Sequence, residues 1–367
     1  MTARQRVLVA MSGGVDSSVA AALLVEQGYD VIGATMKLFC YGDDVPDRPC
    51  CSLDSINDAR RVCHQLGVPH YVLNLESAFG RDVIDNFVQE YARGRTPIPC
   101  VRCNTFTKFR DLLRKADAID APWIATGHYA RIIDGALHRG LDPAKDQSYF
   151  LWGIQRDVLR RMLLPVGDRT KAETRKVAHR LGLEVVAEKV ESQDICFVPD
   201  GDHTKILRRE LGADAAALAP GPLLLTDGTL VGTHNGFARF TIGQRRGLPG
   251  GFRDPMYVVD IQPAHRAVVI GGREALLGRG VVAREVSWLG AEPAVGARVS
   301  VQVRHRGAPA AAEVVRLERD EIELALDEPV AAITPGQSLV LYDGSRVLGG
   351  GIIEAARKRG ALPILAA

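Results

Sequence analysis

The stretch that decides the fold lies near the start of the chain and reads Val7-Leu8-Val9-Ala10-Met11-Ser12-Gly13-Gly14-Val15-Asp16-Ser17-Ser18. A short apolar run typical of a buried strand enters a turn of Ser and Gly, and apolar residues 19–24 continue as a helix. Gly13 and Gly14 permit positive φ, so successive backbone N–H groups can converge on one anion. The start of the helix adds N–H groups and the positive end of its dipole. The stretch therefore predicts a phosphate-binding turn after the first strand.

The pattern of this turn differs from two common nucleotide-binding motifs. It lacks the lysine of Gly-x-x-x-x-Gly-Lys-Ser/Thr, and its glycines do not have the spacing Gly-x-Gly-x-x-Gly. An ordinary strand-to-helix turn is also rich in Gly and Ser, so composition alone leaves that alternative open. Residues 12–18 resemble the pyrophosphate loop of ATP pyrophosphatases, enzymes that cleave ATP between the α and β phosphates to adenylate a substrate.

The composition is that of an ordinary globular protein. A chain of 367 residues with 46% hydrophobic and 25% charged residues is long enough for two or three domains. The net charge of +2 permits an RNA partner without requiring one. No run approaches the length of a membrane span, and the first strand begins too early for a signal peptide, which predicts a cytoplasmic protein without a membrane partner. In a reducing compartment, seven cysteines are expected to be reactive or metal-binding thiols.

Strands and helices alternate along the first 150 residues. The predicted elements after the first strand are strands 31–36, 70–75 and 123–126 and helices 52–66 and 79–91. Such alternation predicts a parallel, doubly wound α/β sheet that binds its ligand at the carboxyl ends of the strands, with the fourth strand closing the series. Met36, Gly127 and His128 fall at such ends, and Met36 is suited to packing against an adenine ring.

The second half of the chain has a different pattern of predicted elements. A charged helical connector, with helices near 155–161 and 170–181, is expected to lead through a short helix near 203–211 into small all-β modules. The predicted strands there are 222–225, 256–261, 267–270, 280–286, 298–303, 312–317, 321–325, 338–342 and 347–353. The predicted domains are 1–200, the α/β domain with its connector, 201–273, a central β domain, and 274–367, a β-barrel.

Two basic stretches interrupt these β modules, at residues 241–248 and 303–306. Each is explained equally well as a solvated surface. Together they are suited to contacts with the phosphate backbone of a nucleic acid.

The cysteines fall into three groups. Cys100-x-x-Cys103 follows a Pro-stiffened approach and opens a predicted helix over 104–115, where Arg102 and Lys108 add positive potential that favours thiolates. Because no second pair follows, the chain has only half of a structural zinc site. Cys196 ends a polar run and is either buried or mobile and accessible. The remaining cysteines receive no assignment and are Cys40, Cys50, Cys51 and Cys63.

Six blocks of sequence together resemble the tRNA-specific 2-thiouridylase family over nearly the whole chain. They are 12–18, 99–104, 126–129, 145–151, 192–197 and 241–245. The resemblance implies that ATP adenylates the C2 oxygen of the wobble uridine (position 34) of tRNA, and that sulfur then replaces this oxygen. The products would be 2-thiouridine, AMP and pyrophosphate. The implied ATP-binding residues are Ala10, Met11, Ser12, Gly13, Gly14, Val15, Asp16, Ser17, Met36 and Gly127, and Asp16 would either hold magnesium or cap the helix.

The resemblance also implies the sulfur chemistry. Cys196 would carry a persulfide received from a sulfur donor protein, and Cys103 would attack it, leaving a transient Cys103–Cys196 disulfide. The implied contacts to the flipped target base are Ile98, Pro99 and Cys100. The implied contacts to the anticodon loop and stem of tRNA are His128, Lys145, Asp146, Gln147, Arg304, His305 and Gln337, and no DNA partner is expected.

One residue departs from the family pattern. Many members carry an aspartate, regarded as the acid/base group, where this chain has Cys100. The same change makes Cys100, Cys103 and Cys196 a three-thiol set suited to an iron–sulfur cluster, as in related tRNA thiolases. Persulfide transfer is the preferred hypothesis and cluster chemistry the alternative. An argininosuccinate synthase type of ligase and a non-catalytic RNA-binding protein are the rival interpretations.

Overall fold

The computed structural model describes residues 4–39, 53–189 and 195–358. The chain divides into two compact units. The first comprises Met1–Val83, Cys100–Gly201 and Ser345–Val347, and the second comprises Ile84–Pro99, Asp202–Gly344 and Leu348–Ala367. None of the helices in the described ranges is both long and apolar enough to cross a membrane.

The first unit contains seven strands. They are β1 (Arg6–Ala10), β2 (Asp30–Lys37), β3 (His70–Asn74), β4 (Trp123–Ala125), β5 (Ala130–Ile133), β6 (Ala136–Arg139) and β7 (Met162–Leu163). The helices of the described chain are α1 (Val15–Glu26), α2 (Leu53–Gln65), α3 (Glu76–Phe79), α4 (Asp85–Ala92), α5 (Pro99–Arg102), α6 (Phe109–Asp117), α7 (Arg156–Arg160), α8 (Lys171–Arg180), α9 (Glu184–Ala187) and α10 (Thr204–Leu211). Two π-helical segments join neighbouring helices, at Gly80–Ile84 and Cys103–Lys108.

The main sheet of the first unit has the order β3-β2-β1-β4-β7, and the pairs along it are parallel. This confirms the predicted doubly wound sheet. The expectation that the fourth strand closes the series is wrong, because β7 adds a fifth strand beside β4. With only two residues, β7 is too short to leave a periodic pattern in the sequence.

Helix α1 is packed into the centre of this unit. Nine of its residues are buried, among them Ala20, Ala21 and Ala22, and its apolar residues face both the sheet and the α8–α9 region. The small alanines allow close packing on β1, whose Val7 and Val9 are fully buried. The start of α1, which carries the glycine turn, is therefore held against the carboxyl end of β1.

The remaining ten strands belong to the second unit, except that residues 346–347 at the start of the last strand belong to the first unit. They are β8 (Pro220–Leu225), β9 (Leu230–Asn235), β10 (Tyr257–Gln262), β11 (Ala267–Gly271), β12 (Leu277–Trp288), β13 (Arg298–Gln302), β14 (Ala310–Leu317), β15 (Glu321–Ala331), β16 (Ser338–Asp343) and β17 (Arg346–Lys358). The first four form a sheet of order β10-β11-β8-β9. The other six follow the order β12-β15-β14-β13-β16-β17, and the pairing of β12 with β17 closes a barrel, as predicted.

Three local predictions need correction. The predicted helix 79–91 is divided by the π-helical segment Gly80–Ile84, and β9 was missed because Gly232 and exposed residues interrupt its alternation. The helix expected over 104–115 begins instead at Pro99, because proline is well suited to the first position of a helix, where its missing N–H is not needed. Cys100 therefore lies inside the helical segment.

Candidate active site

A cavity of about 220 Å³ lies at the carboxyl ends of β1, β2 and β4. The strand order reverses between β1 and β4, the place where doubly wound sheets bind ligands. The residues that line the cavity are Ala10, Met11, Ser12, Asp16, Ser17, Met36, Leu38, Lys108, Thr126, Gly127, His128 and Gln147. The structure thus brings together seven of the ten residues expected to bind ATP, and the other three, Gly13, Gly14 and Val15, belong to the same turn.

The turn is held by its own hydroxyl groups. The Ser12 N–H donates to Ser17 Oγ at 3.1 Å, and Ser17 Oγ donates to the Gly14 carbonyl at 3.2 Å. Ser18 Oγ donates to the same carbonyl at 2.9 Å. Gly13 has φ +71, and a Cβ at this position would lie 2.2 Å from the Ser55 carbonyl oxygen. The turn consequently requires glycine on both conformational and steric grounds.

Gly127 lines the cavity directly beside the first turn of α1. A Cβ on Gly127 would lie 2.5 Å from the Ser17 backbone nitrogen and 2.6 Å from the Asp16 carbonyl carbon. The loop after β4 therefore approaches the first turn of α1 more closely than any side chain would allow. This close approach explains why a glycine follows the fourth strand.

Asp16 is the one carboxylate among the residues that line the cavity. Its Oδ1 accepts hydrogen bonds from Tyr129 Oη at 2.8 Å and from Lys171 Nζ at 2.7 Å. Since α1 has no side-chain cap, the alternative that Asp16 caps this helix is wrong. Asp16 instead forms an ion pair with a lysine at the start of α8.

Two lysines at this loop were missed by the sequence analysis. Lys171 is held at the first position of α8 by a capping box between Thr170 and Glu173. Lys189 donates to the Gly13 carbonyl at 3.1 Å and to Asp58 Oδ2 at 2.8 Å. The sequence did give one indication of such residues. The glycine turn contains no lysine, so a phosphate bound there needs cations from other parts of the fold.

His128 and Gln147 close the side of the cavity beside β4. His128 Nδ1 lies 2.8 Å from Thr126 Oγ1, and burial together with the charge of Lys108 lowers the pKa of His128 to about 3. The imidazole is therefore neutral at physiological pH and presents no charge to a phosphate. Gln147 Oε1 accepts a hydrogen bond from the Tyr129 N–H at 2.9 Å, which fixes the chain that leaves β4.

The cysteine segment is one continuous helical stretch with a π-helical turn in the middle. Cys100 is exposed on α5, and Cys103, which begins the π-helical turn, is 8% exposed. Asn104 Nδ2 donates to the Phe150 carbonyl at 3.1 Å, and Arg110 donates to Asp82 at 2.7 Å. The π-helical turn ends at Lys108, so the segment that carries Cys103 also supplies the lysine of the cavity.

The structure shows Cys100, Cys103 and Cys196 as thiols. Cys196 is partly exposed, and the transient Cys103–Cys196 disulfide stays a prediction. Cys63 is completely buried, and burial raises its pKa to about 11, which marks it as a core residue. The other unassigned cysteines, Cys40, Cys50 and Cys51, lie outside the described residues.

Full-length relatives match this chain closely. A tRNA-specific 2-thiouridylase MnmA of Geobacter metallireducens is 48% identical over 98% of this chain and 99% of its own length. Proteins with the same name from Rhodospirillum centenum and Carboxydothermus hydrogenoformans are 47% and 45% identical, over 97% and 96% of this chain and 93% and 98% of their own lengths. The chain belongs to the tRNA-specific 2-thiouridylase family.

Three family models divide this thiouridylase family member along its length. They are described as the HUP domain of tRNA methyl transferase over residues 5–200, the PRC-barrel domain of tRNA methyl transferase over 213–272 and an aminomethyltransferase beta-barrel domain over 278–353. In the structure, residues 202–344 belong to one compact unit, which has no internal boundary between the two predicted β domains. The boundary near residue 273 therefore stays a prediction.

The residues expected to contact tRNA in this thiouridylase family member have different surroundings. Arg304 is exposed and His305 is half-exposed in the turn after β13, whereas Lys145 is half-exposed in a turn of the first unit. Asp146 accepts hydrogen bonds from the backbone of Gly140 and from Arg139. The structure therefore gives Asp146 a role in holding its own turn.

Gln337 also has a partner within the protein. Its Nε2 donates to the Thr96 carbonyl at 2.8 Å, and both residues belong to the second unit. Ile98 and Pro99 follow Thr96 directly, with Pro99 buried and Ile98 partly exposed. The amide of Gln337 is thus engaged two residues before the expected base-binding segment.

Proposed function

We propose that this protein uses ATP to adenylate the C2 oxygen of the wobble uridine of a tRNA and then replaces that oxygen with sulfur. The observation that carries the proposal is a cavity at the switch point of a pyrophosphate-loop sheet, in a chain that matches 2-thiouridylases over 98% of its length. The protein would be a tRNA-uridine 2-sulfurtransferase, with tRNA and a persulfide-carrying protein as its partners.

Different residues of the cavity would contact the adenine and the phosphates of ATP. Met36 and Met11 offer polarisable surface to the adenine, while Ser12, the turn N–H groups and the start of α1 face the phosphates. Lys108 adds a positive charge to the lining of the cavity. Magnesium, when bound with ATP, would neutralise phosphate charge and would be held by Asp16 Oδ2, since Oδ1 already accepts from Tyr129 and Lys171.

Adenylation makes the C2 oxygen a leaving group. The uridine O2 attacks the α-phosphorus, the bond from this phosphorus to the bridging oxygen of the β-phosphate breaks, pyrophosphate leaves, and the N3 proton of the uridine is released to solvent. Preorganised N–H groups and lysines at the turn would stabilise the negative charge on the phosphates. Because the reacting atom is inaccessible in a stacked anticodon, Ile98, Pro99 and Cys100 would hold the flipped base.

Sulfur transfer then uses the two matched cysteines. The Cys103 thiolate attacks Sγ of a Cys196 persulfide, the S–S bond breaks, and the terminal sulfur leaves as hydrosulfide. Hydrosulfide attacks C2 of the adenylated uridine, and AMP leaves with the original oxygen. The Cys103–Cys196 disulfide is reduced by an external dithiol, and the donor protein supplies the next persulfide sulfur.

The cluster alternative requires three ligands that are close together. Among the described residues, no three His, Cys, Asp or Glu side chains form a group able to hold a metal ion. Cys100, Cys103 and Cys196 therefore do not form a ligand set in this structure, and no step is assigned to a cluster.

Nucleoside analysis tests the proposal. Transfer RNA incubated with the wild-type protein, ATP and a sulfide source should contain 2-thiouridine, and pyrophosphate release should depend on tRNA. With a persulfide-carrying donor protein in place of sulfide, Cys196→Ser should abolish the thiolated nucleoside and retain tRNA-dependent pyrophosphate release. A wild-type protein that yields no thiolated uridine would refute the assignment, and pyrophosphate release driven by an amino acid would favour the ligase interpretation.

A further inference from the structure

Thr96 is the point at which the segment leading to Ile98 is attached to the β modules of the second unit. Its N–H donates to the Pro335 carbonyl at 2.9 Å, and its carbonyl accepts from Gln337 Nε2 at 2.8 Å. Its hydroxyl donates to Thr241 Oγ1 at 3.1 Å. Every polar group of Thr96 is therefore bonded to a residue that lies far away in the sequence.

Arg95 strengthens the same attachment. Its Nε donates to Glu90 Oε2 at 2.7 Å, its Nη1 pairs with Glu354 Oε2, and its Nη2 donates to the Ile353 carbonyl at 3.2 Å. The Arg95 side chain is 17% exposed, so solvent screens these ion pairs less than it screens pairs on an open surface. Helix α4, through Glu90, and strand β17, through Glu354, are thus joined at one guanidinium.

The loop that carries Gln337 is itself held in place. The Ile353 N–H donates to the Gln337 carbonyl at 2.7 Å, and the Gly336 N–H donates to the Ile353 carbonyl at 2.9 Å. Gly336 has φ +90, and a Cβ there would lie 2.8 Å from the Thr96 carbonyl oxygen. The close contact between this barrel loop and Thr96 therefore depends on glycine.

The backbone between Thr96 and Pro99 is stiff, so the position of Thr96 also sets the position of the residues expected to bind the base. Pro97 and Pro99 have φ fixed near about −65°, and the residues before them, Thr96 and Ile98, are restricted towards extended backbone. Because this segment has so little conformational freedom, a displacement of Thr96 also displaces Ile98 and Pro99. A flexible linker would adjust its own backbone instead and leave them in place.

We propose that Gln337 is a positioning residue, which holds the Thr96 carbonyl so that Ile98 and Pro99 are presented in the geometry that receives the target base. The proposal rests on the proposed function, since Ile98 and Pro99 are base-binding residues only within it. It differs from the tRNA contact implied for Gln337 by the resemblance, because it rests on an N–H of the Gln337 amide that donates to Thr96 within the protein.

Hydrogen exchange and steady-state kinetics test this role together. In Gln337→Met the side chain keeps its length and stays uncharged but loses the donor, so the Thr96 amide, which donates to the Pro335 carbonyl, should exchange faster. The kcat for tRNA thiolation should fall about tenfold or more, because small misplacements of reacting groups are costly, while the dissociation constant for tRNA should change less than twofold. Gln89→Ala, at an exposed glutamine of α4, should change none of the three.

Arg304→Ala provides the contrasting case, because Arg304 is exposed in the same barrel. It should weaken tRNA binding without altering exchange at Thr96. If Gln337→Met instead weakens tRNA binding as Arg304→Ala does, and exchange at Thr96 is unchanged, Gln337 is an RNA contact and the proposal is overturned. Unchanged exchange together with unchanged kcat overturns it as well. A wild-type protein that makes no 2-thiouridine refutes the proposed function, whereas exchange still decides whether Gln337 holds Thr96.

Discussion

Lys171 Nζ lies 2.7 Å from Asp16 Oδ1, which places a lysine from α8 at the glycine turn (residues 12–18) after β1. The Lys171 side chain is 11% exposed, and Tyr129 Oη donates to the same carboxylate oxygen. The pair makes the cavity compatible with an anion, because an uncompensated Asp16 carboxylate would repel a phosphate.

Removing the charge of Lys171 should therefore weaken ATP binding. We expect Lys171→Met to raise the dissociation constant for ATP by about tenfold or more, which is about 1.4 kcal/mol. Isothermal titration calorimetry measures this change. Lys176→Met, at an exposed position of the same helix, is the control and should bind ATP as the wild type does.

A double variant separates charge balance from metal binding. If Asp16 acts mainly through its pair with Lys171, Asp16→Asn in the Lys171→Met background should restore part of the lost ATP affinity. If Asp16 acts mainly through Mg²⁺, the second substitution should weaken binding further. A further loss would contradict the charge-balance explanation.

Gly127→Ala should destabilise the first unit and impair ATP binding. The added Cβ would lie 2.5 Å from the Ser17 backbone nitrogen, so the glycine turn or the loop after β4 has to move. Overpacking of this kind costs about 1–3 kcal/mol, which thermal unfolding can measure. Gly80→Ala is the matched control, because a Cβ at Gly80 meets no atom within 4 Å. Equal melting temperatures for the two variants would show that Gly127 is not sterically required.

Lys108 should contribute to phosphate binding and not to adenine binding. It is the one lysine that lines the cavity, and none of the described carboxylates lies within ion-pair distance of it. We expect Lys108→Met to reduce affinity for ATP by about tenfold and to leave affinity for adenosine unchanged. Lys115→Met, at an exposed position of α6, should alter neither. A parallel loss for ATP and adenosine would assign Lys108 a structural role.

His128 should make the folded state less stable in mild acid. Its pKa is about 3 in the folded protein and about 6.5 in an unfolded chain. Between these values the unfolded chain binds the extra proton, so stability is complete above the unfolded pKa and falls as pH decreases towards the folded pKa. From pH 7 to pH 5, this group lowers the free energy of unfolding by up to about 2 kcal/mol.

Denaturant unfolding at the two pH values checks this expectation. His128→Asn should lose less stability on acidification than the wild type, by up to that amount. His64→Asn, at an exposed position of α2, should behave as the wild type does. The expectation fails if all three proteins lose the same stability.

The sequence alone determined the class of fold and the place of the nucleotide site. Alternating apolar runs with glycine turns specify which segments become strands and helices, and an order of strands joined by helices requires a parallel sheet with its site at the carboxyl ends. The turn at residues 12–18 and Gly127 were recognisable for the same reason, since the backbone at each needs glycine. The family was also readable, because its motifs are local blocks in a fixed order.

Only the tertiary structure decided which distant residues complete the site. Lys171 lies 155 positions from Asp16, and Gln337 lies 241 positions from Thr96, so neither pair leaves a periodic or local signal. The π-helical turn from Cys103 to Lys108 was hidden too, because its residues suit an α-helix equally well. Hydrogen bonds and ion pairs between remote segments depend on how the elements pack, and packing is a property of the whole chain.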